Sequence, residues 1–149
     1  MNIDKLREEI ASDEGKVLKA YYCTQSHLTI GVGHKILPTD SFYPCKEGFE
    51  ISEEKCNELF DEDVKSVIAD CEKLVDDFGS LPEEVKRVIA NLMFNMGLTR
   101  LSKFRKFIGA INAGAWQIAG EELRDSRYYR QVTNRANRLI ERLNSVEET

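Results

Sequence analysis

The stretch that decides the fold runs from Asp13 to His34 and reads DEGKVLKAYYCTQSHLTIGVGH. Three apolar residues before it recur at helical spacing: Ile3, Leu6 and Ile10. This periodicity predicts a helix over residues 2–13, and Gly15 is a typical helix terminator. Beyond the glycine, the β-rich segments 20–23 and 28–32 flank a polar turn, which predicts a β-hairpin.

Three side chains within this stretch are suited to catalysis: Glu14, Cys23 and Thr29. Glu14 comes at the end of the predicted helix, where the negative end of the helix dipole disfavours its ionised form and suits a general acid. The hairpin is expected to bring Cys23 close to Thr29. Each residue taken singly is more often structural, as a solvated helix end, a core thiol or a strand residue. Their combination at this spacing favours a functional site.

The spacing from Glu14 to Cys23 to Thr29, followed by the IGVGH motif at 30–34, resembles the T-even-type phage lysozymes, which are family 24 glycoside hydrolases. Two further blocks continue the resemblance in the same order, NLMFNMG at 91–97 and SRYYRQVTNRANR at 126–138. The three motifs span nearly the whole chain. The resemblance implies an α+β, mostly helical fold, with a small N-terminal sheet lobe, a long linking helix and an all-helical C-terminal lobe around an active-site cleft.

The length of 149 residues suits a single domain with this organisation. Apolar residues recur at helical spacing from Cys56 to Val75 and predict the long helix. Ser80 with Glu83 predicts a capping box at the start of the next helix. The predicted parts are the N-terminal lobe (13–55), the linking helix (52–77) and the C-terminal lobe (80–149), with the helix over 2–13 packing on the C-terminal lobe.

Glycoside hydrolysis needs a proton donor and a second group that activates water or attacks the sugar carbon. Glu14 fits the donor, and the resemblance implies that Arg135 pairs with it and orients it. The second position holds Cys23, where many family members have aspartate. Thr29 carries a hydroxyl that can donate and accept a hydrogen bond, and we expect it to hold the attacking water in line.

The cysteine changes the chemistry expected at the second position. A thiol with an ordinary pKa of about 8.5 is mostly protonated at neutral pH, and a nearby Glu14 is expected to raise the pKa further. Cys23 could activate water as a base, or attack the sugar and form a sulfur-linked intermediate. We expect water activation.

Four more side chains are predicted to contact the sugar polymer: Lys35, Phe94, Phe107 and Glu122. Lys35 follows the Gly-His motif, and Phe94 belongs to the NLMFNMG block. The resemblance implies sugar-contact positions for Phe107 and Glu122. Aromatic faces suit sugar rings, although both phenylalanines also fit the apolar core. His34 is expected to make a buried structural hydrogen bond or ion pair.

Charge and cysteine content narrow the class of protein. The net charge of −5 combines −9 over residues 1–97 with +4 over residues 98–149. A basic C-terminal part could attract an anionic polymer such as cell wall, but overall acidity and the absence of a nucleic-acid motif argue against a nucleic-acid partner. The four cysteines lack C-x-x-C spacing, so neither a metal site nor a cofactor is expected. Cys45, Cys56 and Cys71 are predicted to be free thiols in a cytoplasm, although Cys45 lies in a predicted loop and could pair later in an oxidising compartment.

The resemblance implies a muramidase that cleaves the β-1,4 bond between N-acetylmuramic acid and N-acetylglucosamine in peptidoglycan, acting as a monomeric phage endolysin. The N-terminus lacks the features of a signal peptide, and no stretch predicts membrane insertion. We therefore expect synthesis in the host cytoplasm and release to the wall with the help of a holin. The alternatives are a lytic transglycosylase or chitosanase of the same fold, and a non-catalytic wall-binding or virion-assembly module.

Overall fold

The computed structural model describes residues 1–148, which form eight α-helices, one short 3₁₀ helix and one three-stranded antiparallel sheet. The mostly helical α+β class predicted from the sequence is confirmed. In chain order the elements are α1 (Ile3–Glu14), β1 (Val17–Tyr22), β2 (Leu28–Gly31), β3 (His34–Lys35), α2 (Glu53–Leu74), the 3₁₀ helix (Phe78–Ser80), α3 (Glu83–Met96), α4 (Leu98–Leu101), α5 (Arg105–Asn112), α6 (Trp116–Arg124), α7 (Arg127–Gln131) and α8 (Thr133–Asn144).

The chain divides into two compact units. The helical unit comprises residues 1–6 together with 67–148 of the described chain, and the sheet unit comprises residues 7–66. The divisions fall inside α1 and α2, so each of these helices contributes residues to both units.

In the sheet unit, α1 ends where the sequence predicts. Gly15 adopts a left-handed φ of 74°, and its N–H donates to the carbonyl oxygen of Ala11 at 2.9 Å, which closes the last turn. The predicted hairpin is confirmed by the antiparallel pairing of β1 with β2. At its turn, the N–H of Cys23 donates to the carbonyl oxygen of His27 at 2.9 Å.

Two features of the sheet were not predicted. Strand β3 is only two residues long, which is too short to show an alternating pattern, and it pairs with β2. On the other edge, the backbone of Ala20 in β1 bonds to the loop before α2, through Phe49 O at 2.7 Å and Gly48 N at 2.8 Å. These contacts cover the free edge of β1 with ordered chain.

Helix α2 confirms the long helix predicted from the apolar spacing, although it ends at Leu74. Its start is capped by Ser52, whose Oγ accepts from the N–H of Lys55 at 3.0 Å. Two thiols on it, Cys56 and Cys71, are buried and unbonded. Burial raises the pKa of the Cys71 thiol to about 12. This thiol is therefore unreactive and serves as a small residue of the apolar core.

The predicted capping box before α3 is wrong. Helix α3 begins only at Glu83, directly after Pro82, while Ser80 ends the 3₁₀ helix. The Glu83 carboxylate instead accepts from the backbone N–H of Asn2 at 2.6 Å and from Arg87 at 3.0 Å. A partner distant in sequence therefore replaces the local one.

The helical unit has an apolar core in which α8 packs against α3 and α6. The tryptophan of the chain, Trp116, is 6% exposed and belongs to this core, as predicted. No helix within residues 1–148 combines the length and the apolar character that a membrane crossing requires. The largest fully buried side chains of this unit are Leu6, Ile89, Leu92, Met93, Leu101, Ile111, Leu123, Tyr128, Leu139 and Ile140.

His34 makes two buried ion pairs, where the sequence predicted one buried hydrogen bond or ion pair. Its Nδ1 donates to Oδ2 of Asp63 in α2 at 2.7 Å, and its Nε2 donates to Oδ2 of Asp40 at 2.8 Å. Since an ionised carboxylate can only accept, both ring nitrogens must carry a proton. Burial lowers the pKa of His34, but the bonds and charges of Asp63 and Asp40 outweigh burial and raise it from 6.5 to about 9.

This raised pKa predicts a pH-dependent share of the stability. The folded pKa of His34 exceeds its unfolded value, so the contribution is complete below about pH 6.5 and is lost as the pH rises through about 9. The shift corresponds to about 3 kcal/mol. We expect His34→Asn to lower the free energy of unfolding by that order at about pH 6 and by clearly less at about pH 10, measured by urea unfolding.

His27 is the matched control, because it is the second histidine of the chain and its side chain is exposed. His27→Asn should leave the pH dependence of unfolding unchanged. An equal loss of stability for His34→Asn at both pH values would contradict the assignment of a charged histidine.

Candidate active site

The carboxyl group of Glu14 lies directly against the backbone of Gly33. A Cβ atom built on Gly33 would stand 2.7 Å from Oε2 of Glu14, closer than real Cβ atoms approach, and 3.0 Å from its Cδ, so the carboxyl group would have to shift. Gly33 also has a φ of 62°, in the region that favours glycine. The second glycine of the GVGH motif is therefore needed twice, for its backbone conformation and for the room it leaves to the candidate acid.

One face of the sheet carries the other candidate residues. Tyr21 in β1 stands opposite Thr29 in β2, and Thr29 stands opposite Lys35 in β3. Paired residues in an antiparallel sheet point to the same face, so these three side chains form a row across all three strands. Cys23 follows Tyr21 by two positions and its N–H bonds to His27 O across the hairpin, which places it on that face as well.

Thr29 is buried, with 3% of its surface exposed. Its hydroxyl donates to the carbonyl oxygen of His27 at 2.9 Å, and it is also close enough to the Cys23 sulfur to lower the pKa of that thiol. Because a hydroxyl has a single proton, Thr29 serves one of these acceptors at a time. Its lone pairs stay available to a third group, such as a water molecule.

The protonation expected for Cys23 is corrected by the structure. Burial raises the pKa of its thiol, as the sequence suggested, but hydrogen bonds from the backbone of His27 and Gln25, the Thr29 hydroxyl and the charge of Lys35 lower it, and the net change is a lowering. The expectation that the thiol pKa is raised was wrong because it counted Glu14 and omitted the donors of the tight turn. The thiolate, which is the reactive form of cysteine, therefore forms more readily than in a thiol with the ordinary pKa.

Tyr21 is a member of the site that the sequence analysis missed. Burial raises the pKa of its phenol, and the negative charges of Glu14 and Cys23 raise it further. The phenol therefore stays protonated beside both candidate catalytic groups. Its position two residues before Cys23 was the available signal, because alternate strand residues share a face.

Two of the predicted site residues belong to the interior helices of the helical unit. Arg135 in α8 is 9% exposed, and its Nε donates to Oδ1 of the buried Asn91 in α3 at 2.9 Å. Phe94, also in α3, is partly exposed. The pairing of Arg135 with Glu14 joins residues of two units and stays a prediction.

Phe107 and Glu122 meet in a cleft of the helical unit with a volume of about 510 Å³. Phe107 is 3% exposed, so its ring belongs to the floor rather than to an open platform. The cleft was not predicted, although the charge excess of the C-terminal segment is consistent with its composition. The charged residues that line it are Arg100, Lys103, Arg105, Lys106, Arg127, Glu122 and Asp125.

The sheet unit thus contains a carboxyl group, a thiol with a lowered pKa, a hydroxyl and an ammonium group. A carboxyl group can donate a proton to a leaving oxygen, and a thiolate can take a proton from water or attack a carbon atom. This set fits acid-assisted cleavage of a bond to oxygen. Within residues 1–148, no cluster of side chains suited to holding a metal ion is found.

Comparison with known proteins supports the same class of chemistry. A relative from Dictyostelium discoideum named probable T4-type lysozyme 2 is 31% identical over 166 aligned positions, covering 99% of this chain and 95% of the relative. Probable T4-type lysozyme 1 of the same organism is 26% identical with the same coverage. The pre-baseplate central spike protein Gp5 of Enterobacteria phage T4 is 29% identical over 90% of this chain, which spans 26% of that protein.

A sequence model of the phage lysozyme family matches residues 11–145, a range that includes Glu14, Cys23, Thr29 and Arg135 and both structural units. With that match over most of its length and a relative above 30% identity along nearly all of it, the chain belongs to the phage lysozyme family.

Proposed function

We propose that the protein is a muramidase, which hydrolyses the β-1,4 bond between N-acetylmuramic acid and N-acetylglucosamine in peptidoglycan. The observation that carries this proposal is the placement of the Glu14 carboxyl against Gly33, in the unit where Cys23 and Thr29 share one face of the sheet. Membership of the phage lysozyme family supports it.

In the proposed reaction, Glu14 donates its proton to the glycosidic oxygen as the bond from that oxygen to the sugar carbon breaks. The Cys23 thiolate takes a proton from a water molecule whose oxygen forms the new bond to the sugar carbon. Thr29 accepts a hydrogen bond from that water and orients it. Tyr21 stays protonated and donates a hydrogen bond to an anionic neighbour or to the substrate.

The proposed biological role is lysis of a bacterial host by a phage endolysin that is made in the cytoplasm and reaches the wall through a holin. The basic cleft of the helical unit supports an anionic wall polymer as the partner, because five of its seven charged side chains are positive. Lys35 and Phe94 are proposed to contact the sugar chain.

The acid role of Glu14 is tested by Glu14→Gln, which keeps the shape of the side chain and removes the proton that is transferred. We expect release of reducing ends from purified peptidoglycan to fall by about 100-fold or more, with unchanged melting. Glu8→Gln is the matched control, because Glu8 is an exposed glutamate on the same helix. Retention of more than about a tenth of the activity in Glu14→Gln would contradict the assignment of Glu14 as the general acid.

The products separate the proposal from its alternatives. Hydrolysis by this site leaves one new reducing end for each bond cleaved, whereas a lytic transglycosylase leaves an anhydro end in its place. Binding to wall without release of soluble sugar would instead select a non-catalytic wall-binding or virion-assembly module.

The role of Cys23 is tested by two substitutions at that position. Cys23→Asp supplies a second carboxylate and should keep lysis, whereas Cys23→Ser supplies a hydroxyl too weakly acidic for a base and should lose most of it. Water activation predicts an inverted anomer, and attack by sulfur predicts a retained anomer with a glycosyl adduct on the Cys23 peptide in rapidly quenched samples. We expect inversion without an adduct. Full activity of Cys23→Ser would reject both roles.

Attraction to the wall predicts a dependence on salt. Between about 0.05 and 0.5 M salt, activity on whole wall should fall, because the Debye length shrinks well below 10 Å. Activity on small neutral oligosaccharides should change little. Lys103→Gln combined with Lys106→Gln should weaken the salt dependence of activity on whole wall. Equal salt sensitivity of both substrates would exclude electrostatic attraction between the basic cleft and the wall.

A further inference from the structure

We propose that Lys35 is a positioning residue whose ammonium group helps to stabilise the thiolate form of Cys23, and that this support allows a cysteine to serve as the base of the proposed site. This inference rests on the proposed function of the site. It assigns Lys35 a task that acts through Cys23, in addition to any contact that its side chain makes with sugar.

The sheet register places Lys35 where this task requires it. Lys35 is the last residue of β3, directly opposite Thr29 of the central strand, and Thr29 stands opposite Tyr21 on the far strand. Cys23 lies on the same face as this row. In this row, the Tyr21 phenol lies on one side of Thr29 and the Lys35 ammonium group on the other. The positive charge of Lys35 acts on the Cys23 sulfur and lowers the pKa of the thiol.

The charged and titratable groups around Cys23 have opposite effects on the stability of its thiolate. Helix α1 supplies Glu14, and strand β1 supplies Tyr21, on whose phenol the charges of both Glu14 and Cys23 act. The hairpin turn supplies His27 opposite Cys23, and β3 supplies Lys35. Among these groups Lys35 carries a full positive charge at neutral pH, whereas an ionised Glu14 repels a thiolate.

The hydrogen bonds to sulfur do not make Lys35 redundant. The Thr29 proton is shared between the Cys23 sulfur and the His27 carbonyl oxygen, which lies 2.9 Å from the hydroxyl. Whenever Thr29 turns toward that carbonyl or toward water, the thiolate loses one of its donors. The Lys35 charge does not depend on this orientation, because electrostatic attraction is non-directional.

An aspartate in place of Cys23 would need no such support. A carboxyl group ionises about three pH units below neutrality, whereas an ordinary thiol ionises above it. Lys35 should therefore matter strongly for the natural cysteine and weakly in the Cys23→Asp variant. This difference separates the proposed task from a simple contact between Lys35 and the substrate, which would matter equally in both cases.

The first measurement follows alkylation of Cys23 by iodoacetamide against pH, with the modified peptide identified by mass spectrometry. We expect Lys35→Met to slow alkylation at about pH 7 by about twofold or more and to move the profile to higher pH, because the thiolate fraction falls. Lys35→Arg should restore the profile, and Lys35→Gln should behave as Lys35→Met does. Lys46→Met is the matched control, since Lys46 is an exposed lysine of the same unit.

The second measurement compares hydrolysis in two backgrounds. In the natural background, Lys35→Met should lower kcat/KM at neutral pH and recover toward the parent value as the pH rises. In the Cys23→Asp background, the same substitution should leave the shape of the pH profile as it was. An equal loss in both backgrounds, or an alkylation profile that Lys35→Met does not move, would overturn the inference.

The two measurements also distinguish failure of the inference from failure of the proposed function. Alkylation requires no turnover, so a shifted profile in a protein that hydrolyses no wall would support the link between Lys35 and Cys23 and reject the muramidase. Normal hydrolysis with an unshifted profile would reject the link and keep the muramidase.

Discussion

The register of a three-stranded sheet is the constraint on which the candidate site depends. Side chains alternate between the two faces of a strand, so a slip of β2 by one residue would turn Thr29 away from Tyr21 and Lys35. Strands as short as β2 and β3 define their register poorly by themselves. The register must therefore be set by contacts at the ends of the strands.

His34 supplies such a contact at the start of β3. Its two ion pairs join the strand to Asp63 on α2 and to Asp40 in the loop that follows, and Asp40 also accepts from the N–H of Leu37 at 2.7 Å. Gly33, the residue before it, carries the Glu14 carboxyl against its backbone. One short segment thus fixes the strand and lies against the acid, so the ion pairs of His34 stabilise the part of the sheet unit that borders Glu14.

Local patterns predicted the helices and the hairpin well, because their signals lie within one element. The end of α1 at Gly15 and the length of α2 follow from a helix terminator and from apolar spacing. The capping box at Ser80 failed because Glu83 found a partner 81 residues away, at Asn2. Strand β3 was missed because two residues are too few to show an alternating pattern. The basic cleft was missed because its lining comes from several helices that only the fold brings together.

The sequence proposed the residues of the candidate site but not the electrostatic environment of Cys23. Glu14, Cys23 and Thr29 were recognised from their spacing, whereas the direction of the Cys23 pKa shift depends on turn donors and on Lys35, which no spacing shows. Tyr21 could have been found from strand alternation, since it lies two positions before Cys23.

Replacing aspartate with cysteine moves the source of the negative charge from the side chain to its surroundings. An aspartate is an anion by its own chemistry, and its neighbours need only orient it. A cysteine ionises more readily only where donors and a cation outweigh burial, and His27, Gln25, Thr29 and Lys35 together lower the pKa of Cys23 in this way. The hairpin turn and the pairing of β2 with β3 place those neighbours around Cys23. The contacts that fix the register of the sheet therefore also help to stabilise the thiolate. A change that loosens β3 should therefore weaken the chemistry of Cys23 before it unfolds the unit, since the support is lost when one strand moves.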